Sequence, residues 1–122
     1  SRFTSNSAEH WLSSVTKLMR NRTMPKGYII AMVTINDSQA YEPYIQKTPE
    51  LVSEYGGSYL VRGGSKTVVE GELGYDRMSV IEFPSLVIAQ KFYDDPRYVE
   101  VRKIRQGNSD GIIVQVVGHE VP

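Results

Sequence analysis

The chain has no cysteine. That excludes disulfides, thiolate nucleophiles and cysteine-ligated metal, and it makes a reducing cytosol the default compartment, so a cytoplasmic protein is expected. Histidine is nearly as scarce: His10 and His119 stand at opposite ends of the chain. With no histidine cluster and no Ser-His-Asp arrangement in view, no metal or other cofactor is expected. No apolar run approaches the ~20 residues of a membrane helix, and the polar first residues lack the apolar core of a secretory signal, so no membrane contact is expected. Charge of one sign is also missing. Lys+Arg and Asp+Glu balance at 14 each, which removes the general case for nucleic acid as a partner. The glycines do not fall in a phosphate-cradling pattern, and Gly63-Gly64 by itself is a turn signal.

What the chain does have is tyrosine, eight in 122 residues, a side chain suited to half-buried places where a ring packs and a hydroxyl finds a partner. It also has a dense stretch from Tyr59 to Ser85. Three β-type runs lie there, Tyr59–Arg62, Lys66–Glu70 and Arg77–Phe83, separated by glycine, and Pro84-Ser85 then opens a helix. Arg62, Glu70, Arg77 and Glu82 sit inside or at the ends of these mostly apolar runs. Charges in such places are paired or face a cavity.

In chain order, residues 1–23 read as an N-terminal extension and 24–122 as one domain. In the extension Ala8, Trp11, Leu12, Val15, Leu18 and Met19 make one helical apolar stripe, with Asn6 as N-cap. The helix runs from about Ser7 to Arg20, and the extension as a whole carries a basic surplus, Arg2, Lys17, Arg20 and Arg22 against Glu9. It is a docked arm, a lid, or a leader, and Met24-Pro25 is an alternative start. Tyr28 to Ile35 is a strand apolar on both faces. Asn36-Asp37-Ser38 caps a helix whose Tyr41, Tyr44, Ile45, Thr48, Leu51, Val52 and Tyr55 keep helical spacing to Gly56-Gly57. Pro49 predicts a kink, or a restart with Thr48 as cap. These tyrosines read mainly as core, Tyr44 being the one to show its hydroxyl to a pocket.

Ser58–Arg62 is the second strand, continued by Lys66–Glu70. A loop at Gly71–Tyr75 and a third strand from Asp76 to Phe83 follow, so that Glu70 and Arg77 face each other, a pair worth about 0.2–1 kcal/mol for register. Ser85 caps a helix with Leu86, Ala89, Phe92 and Tyr93 inward. Asp95 and Pro96 start another, on which Tyr98, Val101, Arg102 and Arg105 share a face. Those arginines reach a carboxylate such as Glu82, or an anionic ligand, or else snorkel to solvent. A polar loop, Gln106–Gly111, precedes the last strand, Ile112–Val117.

Strand, helix, strand, strand, helix, strand is the split βαβ pattern: an α+β, ferredoxin-like fold with helices on one face of an antiparallel sheet, here with the extra N-terminal helix. The other face would be bare, yet it carries Ile30, Met32, Met78 and Val80. An exposed apolar face of that extent predicts a partner, and a second copy packed sheet to sheet is the simplest.

Several segments carry a family resemblance: Pro25-Lys26-Gly27-Tyr28, Tyr55-Gly56-Gly57, Leu60-Val61-Arg62-Gly63-Gly64, Glu70-Gly71, Arg77–Ser85, Ala89, Phe92-Tyr93 and Tyr98. Over about residues 25 to 118 the chain resembles the family catalogued as domain of unknown function 1330. The resemblance implies a dimeric α+β barrel, in a superfamily that also holds cofactor-independent monooxygenases, muconolactone isomerases and stress-induced barrel proteins. It implies no activity, and it does not reach residues 1–23.

Side-chain alternation puts Leu60 with Arg62, and Met78 and Val80 with Glu82. The expected site is therefore a polar cluster of Arg62 and Glu82 as catalytic pair, completed by Arg105 or Tyr98, with Arg77 near by and Tyr28, Met32 and Tyr44 as lining. Arginine would hold a carboxylate or enolate, and a glutamate of raised pKa would move a proton. The enzyme reading is cofactor-independent proton transfer, isomerase-, lactone- or monooxygenase-like, on a small carbonyl or aromatic acid. The alternative is a homodimer that binds a small metabolite without catalysis, or only assembles, because each of these charges also has an account as structural pairing.

Overall fold

The computed structural model describes residues 25–120. The predicted N-terminal helix, and with it the division at residue 23, lies outside the described residues. Among the described residues four strands and three helices follow one another: β1 (Gly27–Ile35), α1 (Ser38–Glu54), β2 (Ser58–Arg62), β3 (Arg77–Phe83), α2 (Leu86–Asp94), α3 (Pro96–Asn108) and β4 (Ser109–Val117). The strands form a single sheet in the order β2-β3-β1-β4, with every neighbouring pair antiparallel. This is the predicted ferredoxin-like α+β arrangement.

Register decides which side chains meet. Ile29 lies opposite Ile81, and Gly27 opposite Phe83. With alternation at period two, Ile29, Ile81 and Phe83 therefore point to one face. On that face they meet Leu51, Val52, Ala89, Phe92 and Tyr98 from the helices, in one buried core. Phe92 is its centre, with ring centroids 5.1 Å from Phe83 and 4.4 Å from Tyr98. Gly27 is needed where β1 runs under the start of α2. A Cβ there would collide with the backbone of Ser85 and Leu86.

The helices start where their caps stand. Asp37 accepts from the Ala40 amide at 3.1 Å, Ser85 from Ile88 at 3.2 Å, and Asp95 from Arg97 at 2.8 Å with Pro96 as first helical residue. Asp95 also ties α3 to the end of α1. The Tyr55 hydroxyl donates to it at 2.7 Å, and Arg97 bridges it to Glu54.

Four local expectations are corrected. α1 passes through Pro49 without the restart at Thr48: Thr48 Oγ1 donates to the Tyr44 carbonyl at 2.6 Å, and the carbonyl that Pro49 cannot reach is satisfied from outside, as described below. Lys66–Glu70 is not a strand. Residues 63–76 carry no regular structure and Val69 is 93% exposed, because β2 ends at Arg62 and the positive φ of Gly63 turns the chain away. Glu70 is exposed and makes no ion pair with Arg77 among the described residues. Finally, Gln106–Gly111 is not a loop. α3 runs to Asn108 and β4 begins at Ser109, the helix end being closed by Asn108 Nδ2 on the Ile104 carbonyl and Ser109 Oγ on the Arg105 carbonyl.

The Asp95 carboxyl is held well below the usual carboxylate range, chiefly by the Arg97 guanidinium and then by the Tyr55 hydroxyl. A carboxyl lowered on folding contributes stability that is present above its unfolded value, about 3.9, and is lost as pH falls through the folded one. Urea midpoints followed downward from neutrality should fall below about pH 4, and less steeply in Asp95→Asn. Parallel curves for the two proteins would remove Asp95 from the acid limb.

Candidate functional site

The helix-facing side of the sheet is not filled along its whole length. Beside the aromatic core a cleft opens between α1, the end of α3 and the strands. It is lined by Ala31 and Val33 of β1, Tyr41, Tyr44, Ile45 and Thr48 of α1, Tyr59 and Arg62 of β2, Arg77, Ser79 and Ile81 of β3, and Arg105 of α3. Its free interior is about 40 Å³, against about 10–15 Å³ for one ordered water. There is room for a few waters or a ligand of a few heavy atoms.

Three guanidinium groups converge on this cleft, and among the described residues no carboxylate lines it. Arg105 is the deepest, 6% exposed. Its Nε and Nη2 are buried without a hydrogen-bond partner among the described residues, and its guanidinium carbon lies 5.7 Å from the Tyr44 ring centroid. Burial opposes the charge, but the Tyr44 and Tyr98 oxygens outweigh it, and the group is held above its ordinary range. It stays a cation at any working pH. Arg77 lies across Gly63, where an added Cβ would run into the guanidinium. Arg62 is exposed. Its Nη2 donates to the Ile45 carbonyl at 2.7 Å, and its guanidinium stacks 4.9 Å from the Tyr59 ring centroid. Ile45 is the residue four before Pro49, so its carbonyl has lost its helical N–H donor, and Arg62 replaces it.

Tyrosine makes the walls. The hydroxyls of Tyr44 and Tyr98 are 2.6 Å apart; Tyr44 lines the cleft and Tyr98 stands behind it, buried. Burial pushes Tyr41 and Tyr59 up to about 12, and pushes Tyr98 higher still. These three are neutral donors at ordinary pH.

Of the residues singled out from the sequence, the fold thus brings Arg62, Arg77, Tyr44 and Arg105 to one cleft, with Tyr98 in contact. The expected Arg62–Glu82 cluster does not form. Glu82 lies on the open face, where it accepts from the Tyr28 hydroxyl at 2.9 Å. Met32 is on that face too, opposite Met78. Simple alternation would have kept Arg62 there, but β2 carries a bulge. Tyr59 pairs with Ile81, whereas Val61 pairs with Val80 and Arg62 with Ser79. The extra residue reverses the parity and delivers Arg62 to the helix side. Among the described residues Arg102 reaches neither cleft nor carboxylate: it donates to the Tyr93 carbonyl at 2.9 Å and stacks 4.2 Å from the Tyr93 ring centroid. Tyr59, Tyr41, Thr48 and Ser79 were not foreseen as lining. The Tyr41, Tyr44, Thr48 spacing was the available signal, and it read mainly as core. Among the described residues no three His, Asp or Glu side chains group to hold a metal, and no helix is long and apolar enough to cross a membrane.

The model of the Domain of unknown function (DUF1330) family matches residues 26–119. The chain belongs to that family. No match is found among curated proteins. Solved structures share the fold over most of the chain. A protein of unknown function from Rhodopseudomonas palustris is 17% identical with a TM-score of 0.66, over 89% of this chain and 94% of that one. SnoaB, a cofactor-independent oxygenase from Streptomyces nogalater, is 9% identical with a TM-score of 0.53, over 80% and 96%. A dabb family protein with a ferredoxin-like fold from Mesorhizobium loti is 10% identical with a TM-score of 0.53, over 81% and 100%. At these identities the likeness is one of fold.

The Arg62–Ile45 bond makes a stability prediction that is independent of any ligand. Arg62→Ala should cost about 0.5–1.5 kcal/mol by urea denaturation. In a Pro49→Ala background, where the restored backbone N–H can donate to the Ile45 carbonyl, the same change should cost less than half as much. Equal costs in the two backgrounds would break the link between Arg62 and Pro49.

Proposed function

We propose that this DUF1330 protein binds a small organic anion in the arginine–tyrosine cleft, and that it does so as a homodimer. One observation carries the first part: Arg105, a buried cation whose Nε and Nη2 lack hydrogen-bond partners among the described residues, in a cleft that no described carboxylate lines. An unpartnered buried charge is costly for a fold, and a carboxylate or enolate entering the cleft supplies the missing acceptor, in the bidentate geometry that guanidinium favours. Arg77 and Arg62 add charge at the mouth, and Tyr44, backed by Tyr98, adds a hydroxyl. The small free volume favours a short carbonyl-bearing acid over an aromatic one.

Binding without chemistry is the reading that the lining favours, since no carboxylate or imidazole among the described residues stands in the cleft to take a proton and Tyr41 and Tyr59 hold theirs to about 12. The catalytic extension is proton transfer or oxygenation of a small carbonyl acid without a cofactor. The cations would stabilise the enolate as it forms, and the base would come from beyond these side chains. Glu82, the carboxylate first considered, serves that role only for a ligand on the open sheet face beside Tyr28. The fold shared with a cofactor-independent oxygenase makes this extension one to test and does not argue for it.

The dimer rests on the other side of the sheet. Ile112, Val114 and Val116 of β4 are 43, 41 and 40% exposed, in register beside Met32, Ile30 and Tyr28, and Val80 and Met78 continue the surface across β3. A second copy packed face to face would bury it.

Two measurements test the pair of claims. Arg105→Met should remove the NMR and thermal-shift response to small carboxylates while leaving the unfolding temperature unchanged or raised, as expected when a buried unpaired charge is replaced by an apolar side chain. A fall of more than about 5 °C, on the order of 1 kcal/mol for a domain this size, would make Arg105 a structural residue instead. In sedimentation at micromolar concentration the wild-type chain should run as a dimer and a folded Val114→Asp variant as a monomer; a monomeric wild type would remove the dimer.

A further inference from the structure

Resting on that anion-binding reading, we propose that Tyr44, oriented by Tyr98, is a second recognition point of the cleft, and that the ligand is a short 2-oxo or 2-hydroxy carboxylate. Its carboxylate sits on Arg105, and its neighbouring oxygen accepts from the Tyr44 hydroxyl.

The assignment follows from counting protons. Two neutral tyrosine hydroxyls carry two protons, and only one can lie between oxygens 2.6 Å apart. Tyr98 is 4% exposed, is absent from the cleft lining, and its hydroxyl has no other acceptor among the described residues. If Tyr44 donated to Tyr98, the Tyr98 proton would be buried with nowhere to go, which carries the full penalty of an unsatisfied donor. Tyr98 therefore donates to Tyr44, and the Tyr44 proton is left for the cleft. A ligand oxygen accepting from Tyr44 would extend a chain Tyr98, Tyr44, ligand, in which each bond polarises the next.

Geometry then selects the ligand. Arg105 passes beneath the Tyr44 ring, with its guanidinium carbon 5.7 Å from the centroid, so the cation and the hydroxyl border one small space. A carboxylate alone satisfies the cation and leaves the Tyr44 hydroxyl without an acceptor. An acid with an oxygen on the adjacent carbon satisfies both at once. The free volume of about 40 Å³ admits only a few heavy atoms, which keeps the acid short.

The test is an NMR titration of the full chain, following arginine Nε–H resonances, with acetate, pyruvate, lactate and inorganic phosphate. Pyruvate or lactate should bind about 5–10-fold more tightly than acetate, the range of one net hydrogen bond. Tyr44→Phe should abolish that preference while acetate affinity stays within about twofold. Tyr98→Phe, which removes the orienting donor but keeps the ring, should reduce the preference without touching acetate. Equal binding of pyruvate, lactate and acetate by the wild type, or a Tyr44→Phe variant that weakens all of them alike, would overturn the second recognition point and leave the anion site standing. Phosphate binding more tightly than pyruvate would overturn the 2-oxo or 2-hydroxy acid assignment in favour of a tetrahedral oxyanion. A wild type that binds none of the four would remove the anion site itself.

Discussion

The antiparallel ladder joining β3, β1 and β4 sorts every strand side chain into one of two populations, and the rest of the molecule follows from that division. One population, Ile29, Ile81 and Phe83, meets the helices and closes the core around Phe92. The other, including Ile30, Met32, Val80 and Val114, lies on the face that no helix among the described residues covers. A sheet with helices on one side only cannot bury both faces. The hydrophobic effect closes the first face within the chain, and the homodimer proposed above is what would bury the second.

The helix side holds a further division, between apolar packing and concentrated charge. Around Phe92 the aromatic rings pack within 4.4–6.1 Å of one another. Toward Arg105 the same face turns into a tyrosine-lined space with three cations and, among the described residues, no anion. Burying a guanidinium with two nitrogens unpaired works against stability, and the neighbouring tyrosine oxygens are what keep it charged. Local costs of this kind, held in place by an otherwise well-packed fold, are characteristic of ligand sites. The mouth of the cleft is braced differently. Arg62 completes the hydrogen bonding of a proline-interrupted helix while lining the same space, so one side chain couples the geometry of α1 to that of β2.

How far the residues foretold this varies with the range of the interaction. Strand and helix order, the Asp95-Pro96 restart and the apolar open face were legible, because caps, turns and periodicities act over a few residues. The membership in the DUF1330 family was legible too, since its motifs lie in the strands and turns themselves. The continuity of α1 through Pro49 was not, because the donor that rescues Ile45 comes from another element. Nor was the failure of Lys66–Glu70 to form a strand, since its β-type composition says nothing of whether a neighbouring edge is in reach.

The candidate site shows the same boundary in a single residue. By itself the amino-acid sequence determined that arginines, glutamate and tyrosines would be set into a ferredoxin-like sheet and its helices, and that no cysteine chemistry was possible. Only the tertiary structure decided which of them meet. One extra residue in β2, between Tyr59 and Val61, moved Arg62 across the sheet and away from Glu82, and the packing of α3 against α1 carried Arg105 to Tyr44. Alternation is a local rule, whereas a bulge is stabilised by its partner strand and a cleft by elements far apart in the chain, so the identity of the charges was written locally and their company was not.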